Sequence, residues 1–416
     1  MKILLLAGEE SGVLYARQIA DRLQGHEVRG YGDYGFKTED LAVMGVDEVL
    51  KSIFFLLRVK RTMERAIDDW RPDVVCTIDY PGMNLKLAAY AKVRGIRTVH
   101  VVCPQVWAWK AGRIPKIERT FDRLCCFLPF EPALFRPGFA EFVGHPLVGE
   151  FEGAVRTRDA RREAGFVLAL LPGSRLGEIE KHLPVMLETL REMKLPAKLR
   201  VEIPAANDRA YAAITRIVSR FTQSSIPNSQ FSIDNSQFSI DNSRSTIDNS
   251  QSTIDISQFS IENCRSSIGK YPMPIVSRGG ARELLLRADC AVVASGTATL
   301  EAALANCPTI LVYKAAPLFA FIARRVIKGI RFVGLANIIW DKTLSSKGEP
   351  PPVAEAPMPE LLQENLTVEN LRRELEPLLG EAAARLRAQE RLSAAMGLLK
   401  GDGDPIGRIA SALLVC

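Results

Sequence analysis

No apolar run in this sequence approaches the roughly 20 residues that a membrane-spanning helix needs. Stretches such as 3–7 and 53–57 hold five residues each. Met1-Lys2 and the five apolar residues after them are too short for the core of a secretory signal. The following Gly-Glu-Glu-Ser-Gly offers no cleavage site, so a cytoplasmic chain is expected. The eight cysteines include no C-x-x-C pair and have no histidine cluster beside them, which excludes a recognisable zinc motif. Most lie in strand-like apolar runs, where a thiol behaves as a small hydrophobe. Neither G-x-x-x-x-G-K-[ST] nor G-x-G-x-x-G occurs, so neither a P-loop ATPase nor a dinucleotide dehydrogenase is supported. The 54 Lys and Arg against 48 Asp and Glu leave +6, too weak a charge to argue for nucleic acid.

What is present is a globular composition, 47% hydrophobic and 25% charged. At about 150 residues per domain, 416 residues predict two. Short apolar runs alternate with helical patterns. Strands are predicted at 2–7, 73–78, 97–103 and 123–128, with a helix at 11–23, and again at 167–171, 199–203, 275–277, 290–294 and 309–313. Such alternation gives mostly parallel sheets covered on both faces. The expected fold is therefore α/β, two doubly wound Rossmann-like domains with a cleft between them. They cover 1–155 and 165–380, and helices at 381–416 pack back toward the first. Ligands in such folds bind beyond the carboxyl ends of the strands.

Residues 228–269 break the pattern with six consecutive heptads, in which isoleucine recurs at 233, 240, 247, 254, 261 and 268. A coiled coil is refused, because Phe231, Phe238 and Phe259 each precede an isoleucine by two residues, which is strand spacing. Ser, Asn and Asp fill the remainder and compete with helical bonding. Disorder is the expectation, with a stacked β-solenoid as the lesser alternative.

Three glycine loops each follow a strand and open a helix, at 7–12, 171–175 and 294–301. Glycine admits close approach to the backbone and the helix start offers free N–H groups, a combination suited to phosphate, although each loop alone could be an ordinary turn. Arg175 places a permanent charge beside the second loop, ready for a diphosphate or for an ion pair with Glu178. Glu301 can accept hydrogen bonds from ribose hydroxyls or complement a helix dipole. Asp79 ends a strand, where a carboxylate can serve as general base or as a cap for the helix near Asn84. Trp107 and Trp109 share the segment 104–109 and suit a sugar or acyl chain, or a core. His145 can donate to a phosphate or sugar oxygen, or hold structure. The apolar-basic stretches 46–67 and 317–332 suit docking to an anionic membrane surface, or buried helices with a solvated face.

Together these segments resemble lipid-A-disaccharide synthases, glycosyltransferases of the GT-B fold. The resemblance rests on Ala7-Gly8-Glu9 with Ser11-Gly12, on 41–45 and 95–100, and on Pro104-Gln105-Val106-Trp107-Ala108-Trp109. It continues through Phe127-Leu128-Pro129-Phe130-Glu131, Gly144-His145-Pro146, Leu170–Arg175 and Ala294–Glu301. It implies the joining of UDP-2,3-diacylglucosamine to 2,3-diacylglucosamine 1-phosphate (lipid X) in a β-1,6 link, with inversion and release of UDP. It further implies an acceptor-binding first domain, a nucleotide-binding second, no metal or other cofactor, and attachment to the inner face of the cytoplasmic membrane. A homo-oligomer stays open. Asp79 becomes the favoured base. Arg175, Ser295, Gly296, Thr297, Glu301 and Asn337 match positions around UDP, and Gly8, Glu9, Ser11, Gly12, Trp107 and His145 fall to the acceptor or its phosphate. The sole D-x-D, Asp402-Gly403-Asp404, is expected to be a turn. The chain departs from the family pattern at Val13 and Gly82, where aspartates are usual, and at Ala336, within a Leu335-Ala336-Asn337 that is usually Leu-Pro-Asn.

Overall fold

A computed structural model of the chain describes residues 1–7, 10–30, 46–152, 165–224, 272–315, 330–346 and 348–415. The heptads, Gly8, Glu9 and most of the 317–332 stretch lie outside the described residues.

The first unit runs β1 (Lys2–Ala7), α1 (Glu10–Arg22), β2 (Glu27–Arg29), α2 (Val46–Trp70), β3 (Val74–Ile78), α3 (Pro81–Val93), β4 (Arg97–Val101), α4 (Ile114–Thr120), β5 (Arg123–Cys126), β6 (Ala140–Phe142) and α5 (Leu147–Glu152). Its six strands pair in parallel in the order β2-β1-β3-β4-β5-β6. The second unit runs β7 (Val167–Leu171), α6 (Leu176–Glu192), β8 (Arg200–Ala205), α7 (Asp208–Ser224), β9 (Ile275–Arg278), α8 (Ala281–Arg287), β10 (Cys290–Ala294), α9 (Thr297–Leu304), β11 (Thr309–Tyr313), α10 (Leu335–Ser345), β12 (Glu360–Leu362), α11 (Val368–Gly380) and α12 (Ala382–Gly397). Its strands are likewise parallel, in the order β12-β11-β10-β7-β8-β9. This is the two-domain α/β architecture expected from the sequence, with the GT-B layout of two parallel sheets.

The central strands read as unbroken apolar runs because both faces of each sheet are covered. All five residues of β3 and of β7 are buried. In the first unit, Ile3, Leu5, Val74 and Cys76 face α1, whereas Leu4, Leu6 and Val75 face Ile67 and Trp70 of α2. A third core crosses between the units: Leu128, Phe130 and Phe151 pack with Val293, Leu300 and Ile339.

The chain ends by returning. Helix α12 keeps Leu392 and Ala395 in the second unit's core. The final helix, α13 (Pro405–Leu414), instead inserts Ile406, Ile409 and Leu413 among Ile3, Leu5 and Val99 of the first sheet. Asp404 caps it by accepting the N–H of Ile406 at 3.2 Å. The Arg97 guanidinium donates to the carbonyls of Ala412 (2.8 Å) and Leu413 (3.0 Å) at its other end. The segment that returns after α12 meets the β6–α5 loop of the first unit backbone to backbone. A Cβ at Gly401 would lie 2.8 Å from Gly144 Cα, and the N–H of His145 donates to Leu399 O at 3.2 Å. Among the described residues no helix is long and apolar enough to cross a membrane.

Candidate active site

The residues with chemical potential gather at the carboxyl ends of the central strands. At the end of β3 the chain turns through two successive left-handed residues, Asp79 (φ 50°) and Tyr80 (φ 45°). Non-glycine residues adopt this conformation at a cost and hold it only when the surroundings enforce it. Here the enforcing group is Asn84, buried in α3, whose amide nitrogen donates to the carbonyls of Asp79 (2.7 Å) and Ile78 (3.2 Å), with Leu6 O at 3.4 Å. The Asp79 N–H donates to Val101 O at 2.9 Å, tying the turn to β4. The carboxylate accepts the N–H of Tyr80 at 2.8 Å. Tyr80 itself occupies the position before α3, so the carboxylate bonds no N–H of the first helical turn. Burial raises the Asp79 pKa, only partly offset by that N–H.

Tyr15 feels both Asp79 and Glu150, and Glu150 begins a chain of charged groups drawn from both units. Tyr15 of α1 is pushed up to about 12 by burial, with the charges of Glu150 and Asp79 adding to it. Glu150 of α5 accepts from Arg282 of α8 at 2.7 Å, an ion pair across the two units. Arg282 also opposes the burial that raises the Glu301 carboxyl. Glu301 stands past the first turn of α9, which carries no acidic residue, so complementing the helix start is not its role. A line of rings, Tyr15 on Phe127 and Phe127 beside His145, runs at 5.2 Å spacing. His145 Nδ1 accepts the N–H of Leu147 at 3.3 Å, so Nε2 carries the proton of the neutral ring. Burial holds its pKa down to about 4, keeping it a neutral donor.

The loops expected to face a nucleotide differ in how open they are. Ser295, Gly296 and Thr297 follow β10; Ser295 is half-buried, and Gly296 and Thr297 are exposed. Gly296 has φ 154° and open space where a Cβ would stand, so a ligand can approach the backbone at the start of α9. Arg175, before α6, is largely exposed and pairs with Glu178 at 3.0 Å, the ion-pair alternative foreseen for it. Asn337 requires a correction. It is fully buried in α10 and donates to Met358 O (2.9 Å) and Glu360 (2.8 Å) while accepting from Met358 N (3.1 Å). Its amide joins α10 to β12 and offers no polar atom to a ligand. In the first loop, Ser11 lies in the opening turn of α1. Gly12 is buried, and a Cβ there would make ordinary contacts at 3.4 and 3.5 Å, so packing alone does not demand glycine.

The two tryptophans point apart. Trp107 turns inward, its indole N–H donating to Glu131 at 3.2 Å and its ring edge-on to Phe130 at 5.6 Å. Trp109 is the exposed one, with Lys110 Nζ 4.1 Å from its ring centroid and Arg113 at 5.8 Å. Open aromatic surface thus comes from Trp109, not from the Trp107 singled out in the sequence. Sequence reasoning also missed a buried set, Cys103, Cys126 and Glu131, whose potential metal-binding atoms lie within 4.8 Å of one another. No spacing motif signals it, because the three come from the ends of two strands and a turn. Burial pushes Glu131 up to about 8, and the contact with Cys103 together with burial pushes Cys126 up. Hydrogen bonds hold the set in place, with the Cys103 thiol donating to Pro104 O and Glu131 accepting from Trp107 and Leu128.

A family profile described as lipid-A-disaccharide synthetase matches residues 3–238 and 239–395. The chain is 32% identical to a lipid-A-disaccharide synthase of Chromobacterium violaceum, over 97% of this chain and 94% of the relative. It is 32% identical to one of Syntrophus aciditrophicus, over 94% and 91%. In fold it is similar to a UDP-GlcNAc 2-epimerase of Neisseria meningitidis solved with UDP-GlcNAc. The TM-score there is 0.54 at 10% identity, covering 100% of this chain and 98% of that one. The motif order, the two parallel sheets and the near full-length matches converge: the chain belongs to the lipid-A-disaccharide synthase family and is a glycosyltransferase of lipid A biosynthesis.

Proposed function

We propose that the chain transfers the sugar of UDP-2,3-diacylglucosamine to the 6-hydroxyl of 2,3-diacylglucosamine 1-phosphate, with inversion at the anomeric carbon. Residues 1–155 take the acceptor and 165–380 the nucleotide. The acceptor oxygen bonds to the anomeric carbon as the bond from that carbon to the diphosphate breaks. Asp79 takes the hydroxyl proton, and UDP departs with the bonding pair. The observation that carries this reading is the Asp79 turn: a strand-end carboxylate, half-buried, pinned by Asn84, its pKa raised toward the range a general base needs. The open backbone at Ser295, Gly296 and Thr297, together with the exposed guanidinium of Arg175, suits the charge that develops on the diphosphate. Glu301 suits the ribose, and His145 with the first loop suits acceptor oxygens. Leu57, Arg58, Arg61 and Arg65 are exposed on α2, which supports docking of a peripheral enzyme on anionic lipid.

The test is turnover of the two lipid substrates in mild detergent, with and without EDTA, beside an Asp79→Ala variant. A disaccharide product that is lost in the variant supports the reading. Product unaffected by the variant moves the base elsewhere. UDP binding without any product favours a second reading, a silent nucleotide- and lipid-binding relative, for which Val13 and Gly82 in place of two aspartates speak.

A further inference from the structure

The turn at 127–131 belongs to the motif pattern but has no part in the transfer step. Within it Glu131 is 2% exposed, surrounded by Phe127, Leu128 and Phe130. Burying a carboxyl there costs several kcal/mol unless its oxygens are bonded. Both are: one accepts the indole N–H of Trp107 at 3.2 Å, the other the N–H of Leu128 at 3.1 Å. The carboxyl therefore ties the loop after β5 to the loop after β4. Trp107, so held, packs its ring against the core that crosses between the units. Its segment is closed by turns, with Ala108 and Trp109 N–H both donating to Gln105 O. Once Trp107 is anchored inward, Trp109 must face out, carrying Lys110 and Arg113 beside its ring. Arg113 and Pro104 line a small pocket together with Pro81, the first residue of α3 and two beyond Asp79. Both ends of the 104–113 segment thus reach the start of α3, which follows the Asp79 turn.

We propose that Glu131 is a positioning residue for the acceptor: by holding Trp107 it sets the 104–113 segment so that Trp109, Lys110 and Arg113 meet the phosphate-bearing sugar beside Asp79. An aromatic face flanked by two cations is suited to a sugar ring with a phosphate monoester. The inference rests on the transfer reading above.

The experiment compares the full chain with Glu131→Ala, Glu131→Gln, Trp107→Phe and the double variant Glu131→Ala/Trp107→Phe. Kinetics are measured with phosphorylated and dephosphorylated acceptor, and UDP binding by calorimetry. Glu131→Ala and Trp107→Phe should each raise KM for the phosphorylated acceptor by about tenfold, with kcat changed less than about threefold. UDP affinity should be unchanged. The preference for the phosphorylated acceptor should shrink, Glu131→Gln should restore it, and the double variant should be no worse than Glu131→Ala. Additive losses, parallel loss of UDP affinity, no recovery with Gln, or an unchanged acceptor KM would overturn the proposal. If Glu131→Ala does not fold, Trp107→Phe against Glu131→Gln carries the same comparison. A wild-type chain that makes no disaccharide overturns the transfer reading and this inference together. An active one with unchanged acceptor KM in the variants overturns this inference alone.

Discussion

Asn84→Ala should both destabilise the first unit and disarm the site. The side chain is 3% exposed and its amide gives two good hydrogen bonds, at 2.7 and 3.2 Å, to the carbonyls of Asp79 and Ile78. Water cannot readily replace a donor so deeply placed. At about 1–1.5 kcal/mol per net bond, the truncation should cost ~2–3 kcal/mol. The two left-handed residues add a second consequence. Each carries on the order of 1–2 kcal/mol of backbone strain that only the surrounding bonds enforce. Released from Asn84, the turn should relax toward ordinary backbone angles and carry the Asp79 carboxylate with it. Urea unfolding followed by fluorescence should show a lowered midpoint for the first unit. Turnover should fall far more than nucleotide affinity, because the second unit, proposed to take the nucleotide, is untouched. A stability change below ~0.5 kcal/mol together with kcat within about twofold of wild type would refute the claim that this amide holds the turn.

Three other outcomes are expected. Because burial raises Asp79 above its ordinary 3.8, the acid limb of kcat/KM should lie above that value, and Asp79→Asn should abolish transfer while keeping UDP binding in calorimetry. Glu131 is protonated in the folded state up to about 8 but ionises near 4.5 when unfolded. Its contribution to stability is therefore complete below 4.5 and lost as pH rises toward about 8, and Glu131→Gln should flatten that decline in urea midpoints. Gly401→Ala would place a Cβ 2.8 Å from Gly144 Cα and Val143 O, backbone atoms that cannot step aside cheaply; a loss of ~1–3 kcal/mol is expected, and unchanged thermal unfolding would contradict it.

The sequence was most legible where both faces of a strand are buried. Strands at Val167–Leu171, Cys290–Ala294 and Thr309–Tyr313 fall where the apolar runs predict, because a doubly covered strand is written mostly in Val, Leu, Ile and Ala. Of the four edge strands only β9 was legible. Strands β2, β6 and β12 have three residues each and only partial burial, too little for periodicity to register. The position of Asp79 at a strand end was legible because it directly follows such a strand. Asn84 escaped notice because its role comes from a donor that reaches back to the turn before its own helix. Asn337 was misplaced for a related reason: a motif position gives no direction, and this side chain turns toward β12. The pairing of Trp107 with Glu131 spans 24 residues and needs the parallel pairing of β4 with β5 to bring its loops together.

The docking of α13 on the first sheet separates the order of synthesis from the order of completion. The strands of the first unit leave the ribosome early, yet Ile406, Ile409 and Leu413 fill a place beside Ile3, Leu5 and Val99. Until those residues emerge, that face of the sheet has only α1 as cover, and the second unit is already being made. The first unit thus closes only after the second has been made, and a fragment ending at residue 152 would display the part of that apolar face that α13 covers.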